Sequence, residues 1–226
     1  MSANLLVQLS TGRIILGATE MSGDWCGVTA DGQPVDHCVS GCCYSDDNGD
    51  SWKVCSRWAD LPQRGAMEPH IVELKDGRLL MYLRTQLGAV FQSDSLDGGE
   101  TWSKPQTTAL KAPESMPCLT KFPTTGDLLL IWNHGPFDGN FDHYGKRTPL
   151  TTAISKDEGR HWQNFKDIET DPVWEFTNPS CHFTSRGKVI ITYVASKMDN
   201  PNPLGRLGRS IMPLKAVVAD VEWFYT

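Results

Sequence analysis

The sequence predicts an all-β protein, a β-propeller of which about four blades are present. Three observations carry that prediction. Helical periodicity is nearly absent, short apolar runs split by a glycine turn recur along the chain, and an aspartate-centred octapeptide recurs between them. A helical or α/β fold needs long segments of 3.6-residue period, and none is present.

The apolar runs come first. LVQLSTGRIILG (6–17), IVELKDGRLLMYL (71–83), LTKFPTTGDLLLIW (119–132) and CHFTSRGKVIITYV (181–194) each place β-branched and aliphatic flanks around a TG, DG or RG turn. Glycine supplies the positive φ that such turns require, so each run reads as a β-hairpin. The turn glycines Gly12, Gly77, Gly126 and Gly187 lie 65, 49 and 61 residues apart, a repeat with loops of variable length.

The octapeptides follow the hairpins in phase. Ser45–Trp52, Ser95–Trp102 and Ser155–Trp162 share the form S-x-D-x-G-x-S/T-W, with His161 in the Ser/Thr slot of the third. An Asp carboxylate accepts backbone N–H bonds, Gly takes the left-handed position and Trp anchors the turn on the sheet. These turns are assigned to architecture, as are Arg13, Arg78 and Lys188, which follow turn glycines. Hairpin, capped turn and hairpin again make a four-stranded antiparallel blade, and blades repeated radially make a propeller. The whole chain, 1–226, is read as a single domain, and Leu214–Phe224 as its final strand.

Composition bounds the function. The chain has 226 residues and a net charge of −6. That acidic balance argues against a nucleic-acid partner, which would want clustered Lys and Arg. No apolar run reaches the roughly 18–20 residues of a membrane span. The chain opens without a basic segment followed by an apolar one, so the reading defaults to the cytoplasm, with secretion or a periplasmic home left for a chain whose true start lies upstream. Of seven cysteines, five fall early: Cys26, Cys38, Cys42, Cys43 and Cys55. Their spacing does not match zinc-ligand pairs. Reduced thiols are the leading reading, with a disulfide inside the cluster and then a metal site as the alternatives. No metal and no cofactor are expected.

The octapeptides are similar to the Asp boxes, or BNR repeats, of the sialidase superfamily, whose members are six-bladed propellers. The most specific stretch runs from Glu68-Pro69-His70-Ile71-Val72-Glu73-Leu74 through Asp76-Gly77-Arg78 to Arg84-Thr85. It resembles the segment in which sialidases carry a buried glutamate and the second arginine of a carboxylate-binding triad. Arg147-Thr148-Pro149-Leu150 through Ser155 resembles the way the family presents its third arginine. The resemblance implies a sialic-acid-like or other glycan as substrate. Arg84 and Arg147 would hold its carboxylate, for which the planar guanidinium fork is suited. Glu68 would be the catalytic base that takes a phenol proton so that a tyrosine attacks the anomeric carbon.

Two departures from the family pattern stand out. Where the nucleophilic tyrosine is expected the chain has Phe176, in Phe176-Thr177-Asn178-Pro179-Ser180, and Tyr82, Tyr144 and Tyr193 lie elsewhere. Phe176 is therefore placed among the substrate-binding residues, on the wall of the pocket, with Glu175 as a substitute carboxylate. The family's first arginine and acid/base aspartate belong to earlier blades, and two blades' worth of chain is expected to be missing before Glu68. Asn133-His134 and the loop Phe137–Tyr144 carry aromatic and amide groups of the kind that face glycans, against the plainer reading of a polar loop or an Asp/His cation site.

The expected function is a sialidase-like glycoside hydrolase acting on a terminal acidic sugar, with little turnover by this chain alone. A non-catalytic carbohydrate-binding propeller, and a hydrolase of another glycan using a water nucleophile, are the alternatives. Arg84, Arg147 and Glu68 are expected to converge in one pocket. An incomplete ring of blades leaves apolar flanks and strand edges uncovered, so marginal stability or self-association through those edges is expected.

Overall fold

The structure, a computed structural model, describes residues 6–24, 35–139, 144–201, 207–209 and 213–226. Among these residues the regular structure is almost entirely β, with a 3-10 turn at Val221–Phe224. The chain divides into two compact units, Leu5–Leu110 and Lys111–Thr226, each with two four-stranded sheets. The expected all-β fold of four blades is what these sheets form.

In the first unit, one sheet takes β1 (Leu6–Gln8), β2 (Ile14–Ser22), β3 (His37–Ser45) and β4 (Lys53–Val54) in order. The other takes β5 (Ala66–Glu73), β6 (Leu79–Thr85), β7 (Ala89–Ser95) and β8 (Gln106–Lys111). In the second unit, β9 (Cys118–Lys121), β10 (Leu128–Asn133), β11 (Leu150–Ser155) and β12 (Gln163–Glu169) make one sheet. Its companion is β13 (Trp174–Phe183), β14 (Lys188–Pro201), β15 (Leu207–Arg209) and β16 (Leu214–Asp220), the last two both pairing with β14.

The four expected hairpins are β1–β2, β5–β6, β9–β10 and β13–β14. They close alike: Leu9, Leu74, Phe122 and Thr184 each accept the N–H of the turn glycine, and those glycines have φ between 71° and 91°. The three Ser-x-Asp turns also share one geometry. Ser45, Ser95 and Ser155 each donate a hydroxyl proton to the aspartate two residues on, and accept the N–H of the glycine four residues on. The second carboxylate oxygen is bonded by Ser51 Oγ (2.6 Å), Thr101 Oγ1 (2.5 Å) or His161 Nδ1 (2.6 Å), so an imidazole nitrogen replaces a hydroxyl without changing the turn. Donors from Ser51 and Ser45 hold Asp47 at about 2, and the His161 N–H and ring hold Asp157 at about 2.

Arg13, Arg78 and Lys188 are structural, as read. Arg13 bonds Asp46, Glu100 and the Gly98 carbonyl, Arg78 bonds Asp76 and Asp94, and Lys188 bonds Asp220. The tryptophan anchor holds for Trp102, fully buried against Ile15 and Leu79 in the first core, but not for Trp52. β4 is only two residues long, and the exposed Trp52 indole stays on its own turn, donating to the Gly49 carbonyl. The final strand stops at Asp220, short of the expected Phe224. Its ladder reaches the first residue of β14, Lys188, at Asp220; one more bond, from the Val221 N–H to the Gly187 carbonyl (3.1 Å), ends the pairing, and the chain turns and buries Phe224 among Phe122 and Ile154.

Each unit has its own core. Ile15, Ile71, Leu79, Met81, Leu83 and Trp102 anchor the first; Phe122, Ile131, Ile154, Phe176, Ile191 and Tyr193 anchor the second. No helix among the described residues is long and apolar enough to cross a membrane. Cys26 and residues 140–143 of the polar loop lie outside the described residues; the other six cysteines are free thiols.

Candidate functional site

In the first unit the β5–β6 ladder is interrupted. Met67 pairs with Arg84 and His70 with Tyr82, so Glu68 and Pro69 together oppose the single residue Leu83. This is a β-bulge, a device that re-aims a side chain. Glu68 takes φ of 48°, left-handed backbone that a glutamate adopts at a cost. A chain of hydrogen bonds fixes it there. The Glu68 N–H donates to Thr19 Oγ1 (3.0 Å), Thr19 and Ser40 share a hydroxyl contact (3.0 Å), and Ser40 Oγ donates to the Ala66 carbonyl (2.9 Å).

The bulge aims Glu68 at Arg84. Arg84 Nη1 donates to Glu68 Oε2 at 2.9 Å, with the Arg84 side chain 4% exposed and that of Glu68 23% exposed. The arginine is thus the buried member and the carboxylate the one that reaches water. Nearby in sequence, Arg64 grips Asp36 with two bonds of 2.7 and 2.5 Å, both side chains buried. This pair escaped the sequence reading, since Arg64 and Asp36 fall in irregular segments with no motif. It ties the approach to β5 onto β3, where Cys38 also receives Arg64 as a backbone partner.

The second unit brings Arg147 and Phe176 together. The Phe176 N–H donates to the Arg147 carbonyl (2.8 Å), and Asn133 Nδ2 donates to the carbonyls of both residues, each at 2.9 Å. Arg147 Nη2 donates to the Glu114 carbonyl (2.7 Å), and the Arg147 N–H donates to Glu175 Oε1 (3.2 Å). Arg147, Glu114, Glu175 and Asn133 are all buried. Asn133, read as a glycan-facing amide, is spent on the backbone, whereas His134 is exposed beside Trp132 and Phe165. Phe137 and Tyr144 stack at 5.6 Å. Glu114 and Asn133 as partners of Arg147 were not anticipated.

The Phe176 ring is buried and meets Tyr193 edge-on at 5.9 Å. It lines a cavity of about 320 Å³ with Glu169, Asp171, Trp174, Ala195, Pro213 and Lys215. Tyr193 donates its hydroxyl proton to Glu169 Oε1 (2.6 Å), and Lys215 also bonds Glu169 while its ammonium stands 5.5 Å from the Phe176 ring centre. Burial, reinforced by Glu169, pushes the Tyr193 phenol well above its ordinary range. A tyrosine–carboxylate pair therefore exists in this unit, with the proton firmly on the tyrosine. Glu68 and Arg84 belong to the first unit; Arg147, Glu175 and Phe176 belong to the second. No cluster of three or more metal-ligating side chains occurs among the described residues.

Comparison with known proteins gives a consistent picture. The profile of the BNR repeat-like domain matches residues 3–191. A 61-residue stretch is 49% identical to the anhydrosialidase of the leech Macrobdella decora, covering 26% of this chain and 8% of that protein. The NanB sialidase of Streptococcus pneumoniae (K499G mutant) superposes with a TM-score of 0.68 at 19% identity, over 96% of this chain and 30% of that one. The GH93 α-L-arabinofuranosidase of Fusarium graminearum, solved with arabinobiose, superposes with a TM-score of 0.60 at 18% identity, over 97% of this chain and 62% of that one. The chain thus spans less than two thirds of each of these relatives. At such identities the structures speak for the propeller fold alone.

Proposed function

Because this chain belongs to the BNR repeat-like domain family, we propose that it is part of a glycoside hydrolase of sialidase type, acting on a terminal sugar that bears a carboxylate. The observation that carries this reading is Glu68. A glutamate held in left-handed backbone costs of order 1–2 kcal/mol, and strain of this kind clusters at functional sites. What the strain supports is a carboxylate at the mouth of a buried arginine.

The chemistry follows from that pair. Sialic acids carry a carboxylate on the anomeric carbon, and a guanidinium offers two parallel N–H donors to it. Arg84, pre-set by Glu68, is assigned this grip. Because Arg84 is buried, its charge acts in a medium where it counts for more than in water. Glu68, beside Arg84 and partly exposed, is assigned the role of base. The acid/base aspartate and first arginine of the family have no counterparts assigned in this chain.

A second reading is favoured by Phe176. It has no hydroxyl to attack with, and Tyr193 keeps its proton. A hydrolase with this arrangement would use Glu68 to activate water, and arabinan-cleaving relatives of the same fold make a neutral furanoside the competing substrate. The experiment is hydrolysis of a fluorogenic α-sialoside and a fluorogenic α-L-arabinofuranoside by the same preparation, with the anomer of the first product read by NMR. Slow sialoside cleavage that disappears in Glu68→Gln supports the first reading. Arabinofuranoside cleavage without sialoside cleavage overturns it.

A further inference from the structure

The cysteine cluster plays no part in the proposed chemistry, yet two of its members are paired by the sheet. β3 and β4 pair Tyr44 with Lys53 and Cys43 with Val54, so the next step sets Cys42 opposite Cys55. The Cys55 N–H donates to the Cys42 carbonyl (3.0 Å). The return bond does not go to the Cys55 carbonyl: the Cys42 N–H points at Cys55 Sγ (3.4 Å). Cys55 has folded its sulfur back over the facing peptide, and Gly41 makes the room, since a Cβ there would stand 2.5 Å from that sulfur. Residues directly opposed in an antiparallel pair have Cα atoms about 4.5–5.5 Å apart, inside the roughly 4.4–6.8 Å that disulfides span.

We propose that Cys42 and Cys55 form a reversible disulfide site, oxidised by exchange with a small-molecule disulfide such as oxidised glutathione. Cys55 is the attacking sulfur. The Cys42 thiol and the backbone N–H groups of Cys42, Cys55 and Arg57 stabilise its thiolate against the opposing effect of burial, which brings it to about 7. Cys42 is pushed the other way, mainly by the same contact and by burial, so it keeps its proton until the second step. The Cys55 thiolate attacks one sulfur of the small disulfide, forming a mixed disulfide and expelling one thiolate. That thiolate takes the Cys42 proton, and Cys42 then displaces the second. Two protein thiols are oxidised and one small disulfide is reduced to two thiols.

Both sulfurs are buried, so exchange requires local opening. β4 is suited to it, being two exposed residues at a sheet edge. Cys43 is the internal control, because alternation along β3 turns its side chain to the other face.

The test uses the purified chain in glutathione buffers from fully reduced to fully oxidised, quenched with acid, alkylated and digested with trypsin. Lys53 lies between the two cysteines, so digestion releases Val54–Arg57 as a separate peptide unless a disulfide holds it. The expected result is Val54–Arg57 linked to the Ile14–Lys53 peptide, with loss of two hydrogens, in the unaltered chain and in Cys43→Ala. The link is lost in Cys42→Val and reversed by dithiothreitol. Should Cys42→Val fail to fold, fragmentation of the linked peptide from the unaltered chain assigns the sulfur. A Val54–Arg57 peptide that stays free at the most oxidising ratio, or is bonded to Cys26, Cys38 or Cys43, overturns the proposal.

Discussion

Glu68 and Asn178 stand at the same step of two different blades: each has left-handed backbone (φ 48° and 53°), each precedes a proline, and each shares a two-residue bulge opposite one residue of the next strand. Two blades thus carry the same bulge with different residues in it. Asparagine meets left-handed backbone at little cost, and glutamate does not. The blade with asparagine shows what architecture alone asks for; the blade with glutamate sets a carboxylate against the buried Arg84.

Substitution at the architectural copy tests this directly. Asn178→Gly should leave the melting transition within about 0.5 kcal/mol of the unaltered chain, or raise it slightly. Asn178→Val, β-branched in left-handed backbone, should lose more than about 1 kcal/mol. Equal behaviour of the two variants in thermal unfolding would mean that the bulge does not impose the backbone described.

The Glu68–Arg84 pair should show strong coupling. Arg84 is the buried partner, so Glu68→Ala removes the carboxylate it faces and should cost roughly 2–4 kcal/mol. The double variant Glu68→Ala/Arg84→Met should be less destabilised than the sum of its singles by at least about 1 kcal/mol. Denaturant titration of the four proteins gives the cycle, and additivity would separate the two residues.

The third capped turn makes a pH prediction. Asp157 is held at about 2, below its unfolded value of about 3.9, by donors from His161 and Ser155. A carboxylate depressed on folding stabilises the folded state above the unfolded value. That contribution is lost as pH falls from about 3.9 through 2. His161→Ala removes the ring donor and should narrow the difference in stability between pH 5 and pH 2.5, whereas His161→Thr should restore it. Chemical unfolding at the two pH values decides.

Much of this was legible in the sequence, and the residues say why. Gly12, Gly77, Gly126 and Gly187 are demanded by backbone geometry, so they mark the hairpins whatever surrounds them. The Ser-x-Asp turns are local for the same reason, closing within seven residues. Glu68 and Arg84 lie sixteen residues apart on one hairpin, and the sequence places them together. What was not legible depends on contacts distant in sequence: Arg64 with Asp36, and Asn133 across both Arg147 and Phe176. One available signal went unread. Pro69, Pro117 and Pro179 each fall eight or nine residues before a turn glycine, and they mark the first strands of three blades, inside β5 and β13 and directly before β9.

Asn133 gives a further check on that non-local cluster. Replacing it with Leu removes a buried donor shared by two carbonyls and should cost about 2–4 kcal/mol. The loss should exceed that of His134→Ala, an exposed neighbour, by at least about 1 kcal/mol in the same unfolding assay. Comparable losses would take Asn133 out of the support of Arg147.

On the proposal above, Arg84 recognises a carboxylate on the sugar. The most direct measurement is equilibrium binding of N-acetylneuraminic acid and of its methyl ester to the folded chain and to its Arg84→Met variant. Charge-assisted hydrogen bonds contribute about 1.5–3 kcal/mol, which corresponds to roughly a ten- to hundredfold change in affinity. The acid should therefore bind at least about tenfold more tightly than the ester, and Arg84→Met should erase the difference. Equal affinity for acid and ester in the unaltered chain, or a preference for the acid that survives Arg84→Met, would contradict it.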